Sequence, residues 1–213
     1  MREDLEQQEQ LEAIKGFWQD NRWWILGLLV AVFGGWALWA GWQAFNSSQA
    51  SAANQAYGPF EKAYAAQDLP AAAAAAKLLL EQHPNSRQAD LAGLQMAKLQ
   101  HAAAQLDQAL ASLAPVMRSK DEAMAWTARL RTAAIQIDLQ ALDQALATLS
   151  PTPPAAFEAD VWDRRGDVHA LKNQAEEARN AWTKAKAVPG LNNTLAALLD
   201  RKLSALNAKP SGQ

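Results

Sequence analysis

The sequence predicts an all-α protein in which a single N-terminal transmembrane helix precedes an α-solenoid, a row of stacked helical hairpins. Three observations support this prediction. More than a fifth of the 213 residues are alanine, the strongest helix former. An uncharged apolar stretch runs from Trp23 to Trp42. Beyond it, a pattern of small and large apolar residues recurs at intervals of 33 to 36 residues, which is typical of solenoids built from helix pairs.

The apolar stretch has the length and the ends of a membrane span. Its 20 residues, WWILGLLVAVFGGWALWAGW, would form a helix of about 30 Å, the thickness of a hydrocarbon core. Tryptophans at both ends suit the two membrane interfaces. A buried core helix and a cleavable signal peptide are the alternatives. The stretch exceeds the roughly 7–15 residues of a signal-peptide core and follows an acidic leader, so we predict an uncleaved signal-anchor.

Basic residues near the span predict its orientation. Lys15 and Arg22 precede it closely, whereas Lys62 is the first basic residue after it. The positive-inside rule therefore places the N-terminus in the cytoplasm and the remainder, in a bacterium, in the periplasm. The predicted organisation is a cytoplasmic stub (1–22), the transmembrane helix (23–42), a tether or helix start (43–50), a soluble domain (51–206) and a flexible tail (207–213).

Small residues recur every fourth position within the span, at Gly27, Ala31 and Gly35. Such a face lets a second membrane helix approach closely, so we predict a helix-packing surface here. The alternative is that these residues are ordinary members of a membrane helix, in which glycine and alanine are common.

The repeat is clearest in two segments that lie 36 residues apart. Gln105–Pro115 reads QLDQALASLAP and Ala141–Pro151 reads ALDQALATLSP. The wider pattern comprises small residues (Ala76, Ala109, Ala145, Ala178), large residues four positions later (Leu80, Leu113, Leu149, Trp182), and small residues twelve positions before the last three alanines (Ala97, Ala133, Gly166). We interpret the small residues as the points where two helices of a hairpin touch, and the large residues as filling the groove of the next hairpin.

Helix-breaking segments divide the chain at the same intervals. They lie at 83–86, 150–154 and 189–190. Four hairpins between residues 51 and 188 are therefore predicted, with Gly58-Pro59 interrupting the first helix. A capping helix is predicted over 191–206, with five leucines on its inner side: Leu195, Leu198, Leu199, Leu203 and Leu206.

The last repeat resembles the tetratricopeptide (TPR) signature. Trp162 and Gly166 are followed by Ala178, Trp182 and Pro189, in the order and approximate spacing of that motif. The sequence departs from the signature where Arg165 replaces a leucine and His169 replaces a tyrosine.

Residue types that carry chemistry are sparse. A net charge of −2 argues against nucleic-acid binding, and the absence of cysteine excludes thiol catalysis, disulfides and cysteine-ligated zinc. The sequence contains no nucleotide-binding, serine-hydrolase or zinc-protease motif. Its histidines, His83, His101 and His169, lie in different repeats. We therefore predict a non-enzymatic protein with no cofactor and no metal site.

The remaining candidate site is a surface. In a TPR array the first helix of each pair lines the concave face that holds a partner segment. Helical projection places eight residues there: Leu94, Lys98, His101, Leu130, Ile137, Asp160, Asp163 and Asp167. An apolar stretch that runs into an acidic end would suit a partly unfolded, basic or mixed chain. Ordinary helix exposure is the alternative explanation.

Three segments together resemble the YfgM-type ancillary subunits of the bacterial SecYEG translocon. They are the stub QLEAIKGFWQDN (Gln10–Asn21), the start of the first hairpin (Ala53–Phe60) and the last repeat (Arg164–Trp182). The resemblance implies an inner-membrane protein with a periplasmic TPR domain, associated with SecYEG and with PpiD, a membrane-anchored periplasmic chaperone. It further implies a role in passing newly translocated proteins to chaperones, and it brings no catalytic residues.

Two other functions fit a membrane-anchored array of this kind. One is a scaffold for envelope assembly or cell division. The other is an import receptor of an organelle with its array in the cytosol, which the charge bias disfavours.

Overall fold

A computed structural model describes residues 2–208, with side chains described for residues 15–206. Within this part of the chain the secondary structure is entirely helical, which confirms the predicted all-α class. The helices are α1 (Arg2–Ala65), α2 (Leu69–Gln82), α3 (Arg87–Ala102), α4 (Leu106–Val116), α5 (Glu122–Asp138), α6 (Leu142–Thr148), α7 (Glu158–Leu171), α8 (Ala175–Lys186) and α9 (Asn193–Ala208), with a 3-10 turn at Ala155–Phe157 before α7.

The chain divides into two units, residues 1–51 and residues 52–213, and α1 contributes residues to both. The first unit, as far as it is described, is one helix. Its apolar side chains face outward, with Trp23 exposed to 75% and Leu38 to 78%. Among the described residues, the Lys15–Ala65 part of α1 is the one helical segment long and apolar enough to cross a membrane, and its most apolar stretch is entirely exposed.

The second unit is a row of four hairpins closed by a single helix. Residues 52–65 of α1 share a core with α2. The pairs α3 with α4, α5 with α6 and α7 with α8 follow. Helix α9 packs on α8. This is the solenoid that the repeat predicts.

All four hairpins turn in the same way. Each turn contains one residue in the left-handed region, at φ between 54° and 58°: Gln67, Ala104, Gln140 and Asn173. In each turn the next residue donates its N–H to a carbonyl five positions earlier, as Gln105 does to Gln100 at 2.8 Å. This is the Schellman motif, which satisfies the free carbonyls at a helix end. The four turns therefore share their backbone hydrogen bonds, although the residue in the left-handed region differs in type.

Short polar side chains begin several of the helices. Asp68 accepts the N–H of Ala71, Ser86 that of Ala89, and Asp121 that of Ala123. These N-caps satisfy amide groups that a helix start leaves without partners. They explain why α2, α3 and α5 begin where they do.

Each hairpin core is built on a pair of residues 16 positions apart. In the second and third hairpins the pairs are Ala97 with Leu113 and Ala133 with Leu149. In the fourth hairpin Gly166 faces Trp182 so closely that an added Cβ would lie 2.4 Å from the indole ring. In these three hairpins the small residue lies where the two helices meet, as predicted. The large residue that faces it belongs to the same hairpin, whereas the sequence pattern predicts that it fills the groove of the next hairpin.

The first hairpin reverses this arrangement and corrects the predicted alignment. Counted from the turn, Ala72 is equivalent to Ala109, and the predicted Ala76 is one helical turn too late. The core pair is then Phe60 with Ala76, the large residue now on the first helix. Leu80, the predicted large residue, is only partly buried. The run of six alanines from residue 71 gives no sequence signal that would fix the alignment.

Three further expectations concern helix boundaries. Gly58-Pro59 does not interrupt α1, which continues to Ala65. A proline inside a helix removes one hydrogen bond and its ring crowds the carbonyl four residues earlier, and packing of the flanking turns in the first core offsets this cost. Residues 43–50, the predicted tether, are helical. The predicted flexible tail lies partly in α9, and residues 209–213 fall outside the described residues.

The capping helix packs through most of its predicted leucines. Leu199 is fully buried, and Leu195, Leu203 and Leu206 pack against the same core cluster. Leu198 is instead 41% exposed, because it lies one residue before the buried Leu199, about 100° around the helix.

Candidate partner-binding surface

The eight residues predicted to line a binding face lie on the first helices of three consecutive hairpins, α3, α5 and α7. The three apolar residues among them belong to the interior. Leu94 is 6% exposed in the core of the second hairpin, and Leu130 and Ile137 pack against the core of the third. Helical projection placed them on the open face because it does not register the neighbouring hairpin, which covers part of each first helix.

Lys98 and His101 line an open groove between α3 and α5. The groove has a volume of about 320 Å³, and its other lining residues are Ala97, Leu113, Arg131, Ala134 and Ile135. Its floor is apolar, because Ala97, Leu113 and Ile135 are buried core residues. Basic side chains on both helices border this floor.

The basic side chains at this groove differ in whether they have a partner within the protein. The ring Nε2 of His101 lies 2.8 Å from a carboxylate oxygen of Asp138. Arg131 donates from Nη1 to the carbonyl of Leu94 at 3.0 Å. Lys98 is exposed and makes no ion pair with any side chain in residues 15–206. Lys98 and Arg131 are therefore basic groups at this groove that form no ion pair with a carboxylate in residues 15–206.

The predicted acidic end is occupied by another part of the chain. Lys202 of α9 places its Nζ 2.6 Å from carboxylate oxygens of both Asp163 and Asp167. The indole N–H of Trp182 also reaches Asp167 Oδ1 at 3.3 Å. Asp160 remains exposed. Asp163 and Asp167 thus attach the capping helix to the last hairpin.

Burial raises the pKa of Asp163 above its ordinary value, and the hydrogen bond from Lys202 opposes that shift. The side chain is only 13% exposed. A carboxylate in this position needs its ammonium partner, because desolvation disfavours the charged form. Lys202 consequently has a structural role that sequence spacing did not predict.

Arginines that sequence reasoning missed cap a short helix. Arg165 donates from Nε to the carbonyl of Leu149 at 3.2 Å and from Nη2 to that of Ser150 at 3.2 Å. Arg129 donates to the carbonyl of Thr148 at 3.1 Å. These bonds satisfy carbonyls at the end of α6, a helix of seven residues. Arg165 stands where the TPR signature has leucine, and that departure was the available signal.

A second groove lies beside the reversed pair of the first hairpin. It has a volume of about 460 Å³ between α2, α3 and α4, with Ala73, Ala76 and Ala111 among its lining residues. Since Ala76 occupies the position that Leu113 and Leu149 fill in the next two hairpins, α2 presents less side-chain volume here. The groove is therefore a consequence of having the small residue, Ala76, on the second helix of this hairpin.

The predicted helix-packing surface of the first unit is open. Gly27 and Gly35 have no atom of another segment near the position of an added Cβ, and Ala31 is exposed. Arg22 lies 5.7 Å from the ring centre of Trp23 at the start of the apolar stretch. No charged residue follows until Glu61.

Acidic and histidine side chains form no metal-binding cluster within residues 15–206. In this region no three such groups lie close enough to hold an ion. The His101–Asp138 contact is a single pair.

Residues 15–208 match the family model for a tetratricopeptide repeat-like domain. The match covers most of the chain, so the chain belongs to this family, whose repeat domains are typically non-enzymatic scaffolds for protein interactions. No curated protein matches the chain.

Proposed function

We propose that this tetratricopeptide repeat-like protein is a non-enzymatic adaptor of the bacterial inner membrane. In this proposal α1 crosses the membrane once with its N-terminus in the cytoplasm, and the array lies in the periplasm. The protein associates with the SecYEG translocon and the chaperone PpiD, and helps pass newly translocated proteins to periplasmic chaperones through contacts of its array.

One observation carries the proposal: an apolar helix that none of the described side chains (residues 15–206) buries directly precedes a repeat array with an open groove. An exposed helix of this length and composition suits a bilayer. A repeat array with an open groove suits a polypeptide partner. Together they describe a protein that holds a partner at a membrane surface.

The orientation rests on charge. Lys15 and Arg22 precede the span, and the segment from Trp23 to Phe60 carries no charge. The positive-inside rule favours a cytoplasmic N-terminus for this distribution. The translocon partners rest on the resemblance of residues 10–21, 53–60 and 164–182 to YfgM-type subunits. In the structure, Ala53 and Phe60 are core residues of the first hairpin, and residues 164–182 form most of the last one.

Pull-down of the tagged full chain from membranes in mild detergent tests the partners. We expect SecYEG and PpiD to be enriched over an unrelated single-span protein. Recovery of envelope-assembly or division proteins in their place would contradict the adaptor function and favour the scaffold.

A triple variant tests the membrane face. Replacing Gly27, Ala31 and Gly35 by leucine should reduce recovery of membrane partners, because larger side chains prevent close helix approach. Ala37→Leu combined with Ala40→Leu is the matched control, since these residues lie on the opposite side of the helix. Equal recovery from both variants would contradict a packing face.

The absence of cysteine permits a clean topology test. In cells whose outer membrane has been permeabilised, a maleimide that cannot cross the inner membrane should label Ser47→Cys and not Gln19→Cys. The reverse pattern would place the array in the cytoplasm and contradict the proposed compartment.

A further inference from the structure

The groove between α3 and α5 is bordered by basic side chains of both helices, whereas the predicted acidic end of the binding face lies farther along the array on α7. We infer that this groove binds a partner segment that places a carboxylate beside an apolar side chain. This inference rests on the proposed function, in which the array contacts a polypeptide, and it specifies the chemistry of that polypeptide.

The two unneutralised basic groups lie on opposite sides of the groove. Lys98 of α3 has no ion-pair partner among the described side chains. Arg131 of α5 uses one N–H on the carbonyl of Leu94. That bond fixes the guanidinium and leaves its other donors for a ligand, because arginine carries five. A carboxylate in the groove would meet the guanidinium of Arg131 on one side and the exposed ammonium of Lys98 on the other.

The neighbouring acidic group is already engaged. Asp138 contacts His101 at 2.8 Å at the end of the groove. The acidic residues farther along the array, Asp163 and Asp167, are engaged by Lys202. A basic partner segment would therefore find no free buried carboxylate here and would face Lys98 and Arg131.

The apolar floor adds a second requirement. Ala97, Leu113 and Ile135 form it, and the volume of about 320 Å³ is at the small end of binding pockets, which span roughly 300–1,000 Å³. The groove is large enough for one or two side chains. An apolar side chain would make packing contacts with this floor, whereas an inorganic anion would make none.

Fluorescence anisotropy of short labelled peptides on the detergent-solubilised full chain tests the inference. Three peptides share the same leucines and carry glutamate, glutamine or lysine at the intervening positions. We expect the glutamate peptide to bind about tenfold more tightly than the glutamine peptide at low salt and to weaken as salt screens the charges. Tighter binding of the lysine peptide, or equal binding of all three, would overturn the inference.

Charge reversal locates the site. Lys98→Glu should weaken binding of the glutamate peptide about tenfold, and the side chain is exposed and unpaired, so folding should be unaffected. Lys120→Glu is the matched control: the same charge change at an exposed residue before the start of α5, expected to leave affinity within twofold. Equal affinity for wild type and Lys98→Glu would overturn the assignment to this groove.

Two further measurements test whether the apolar floor of the groove contributes to binding. A glutamate peptide with its leucines replaced by serine should bind at least fivefold more weakly, because it loses the packing contacts of the leucines with the apolar lining of the groove. Inorganic phosphate should not displace the leucine-containing peptide at millimolar concentration. Full displacement by phosphate would indicate a simple anion site and overturn the apolar requirement.

The same variant separates this inference from the proposed function. If SecYEG and PpiD co-purify equally with wild type and Lys98→Glu while no peptide preference exists, the inference fails and the adaptor function stands. If the glutamate peptide binds but neither partner co-purifies, the adaptor function fails and the groove chemistry stands.

Discussion

The first and last hairpins solve the same packing problem with opposite residues. In the last hairpin the first helix supplies Gly166 and the second supplies Trp182. In the first hairpin the first helix supplies Phe60 and the second supplies Ala76. The comparison teaches that the repeat preserves the combined volume of a facing pair, while either helix can carry the large side chain. Dense packing imposes this constraint, since interiors tolerate neither voids nor overlaps.

The largest expected effect tests whether the two large residues are equivalent. Phe60→Ala and Trp182→Ala should each destabilise the array by about 3–5 kcal/mol, because each removes a buried aromatic side chain. Urea denaturation of the detergent-solubilised chain, followed by far-UV circular dichroism, measures this. Leu78→Ala is the control at a residue that is 52% exposed. A cost below that of the control at either aromatic residue would contradict the comparison.

The second prediction concerns the contacts of Lys202 with Asp163 and Asp167, which attach the capping helix to the last hairpin. Lys202→Met should cost about 2–3 kcal/mol, because it removes the ammonium that both largely buried carboxylates share and leaves only the 3.9 Å contact of Arg164 with Asp167. Lys186→Met, which removes an exposed pair with Asp200, should cost under about 0.5 kcal/mol. Thermal denaturation of both variants in the same detergent provides the measurement. Equal losses would contradict a special role for Lys202.

The cost of Lys202→Met should also depend on pH. Burial raises the pKa of Asp163 in the folded protein, so its contribution to stability is greatest below the ordinary aspartate pKa and is lost as pH rises through the folded value. Without Lys202 this pKa rises further. The difference between variant and wild type should therefore be larger at about pH 7 than at about pH 4. A difference that grows toward acid would contradict this sign.

Overpacking tests the small member of the last pair. Gly166→Ala should destabilise by about 1–3 kcal/mol, because its Cβ would lie 2.4 Å from the Trp182 ring. Gly58→Ala should stabilise by up to about 1 kcal/mol, since that helical glycine has open space around it. Urea denaturation of the two variants compares them, and stabilisation by Gly166→Ala would contradict the close contact.

A double substitution converts the first hairpin to the pattern of the middle ones. Phe60→Ala with Ala76→Leu recreates the Ala97–Leu113 pair, so the double variant should recover about 1–2 kcal/mol relative to Phe60→Ala alone. The double-mutant cycle is measured by urea denaturation. If the changes in unfolding free energy of the two single variants simply add in the double variant, the two side chains do not pack against each other.

The smallest effect concerns a feature common to all hairpins. Ala104→Gly should stabilise by about 0.5–1 kcal/mol, because Ala104 is held at φ 57° where a Cβ is disfavoured. Ala103→Gly, one residue earlier at φ −86°, should be destabilising. Differential scanning calorimetry resolves shifts of this size. A lower midpoint for Ala104→Gly would contradict the strain.

Sequence reasoning predicted the helical class and the repeat because both rest on local patterns. Small and large residues at fixed spacing identified the last three hairpins. The alignment of the first failed because its alanine run is uniform, so the turn at Gln67 could not be located from size alone.

The exposure of the candidate surface residues could not be derived from the sequence, since exposure depends on contacts between hairpins. Lys98 and His101 line the groove between α3 and α5, whereas Leu94 belongs to the core. The partner of Asp163 and Asp167 lies 35 or more residues away, on a helix whose docking depends on tertiary packing. Helical periodicity carries no information about a contact of this kind.

The shared turn determines where this array tolerates changes of length. Each turn within a hairpin occupies three residues: 66–68, 103–105, 139–141 and 172–174. Connections between successive helical units run instead from four residues (83–86) to nine (149–157). Insertions and deletions in related chains should therefore collect at the ends of the hairpins that carry the connections, while the opposite ends keep a constant length through divergence.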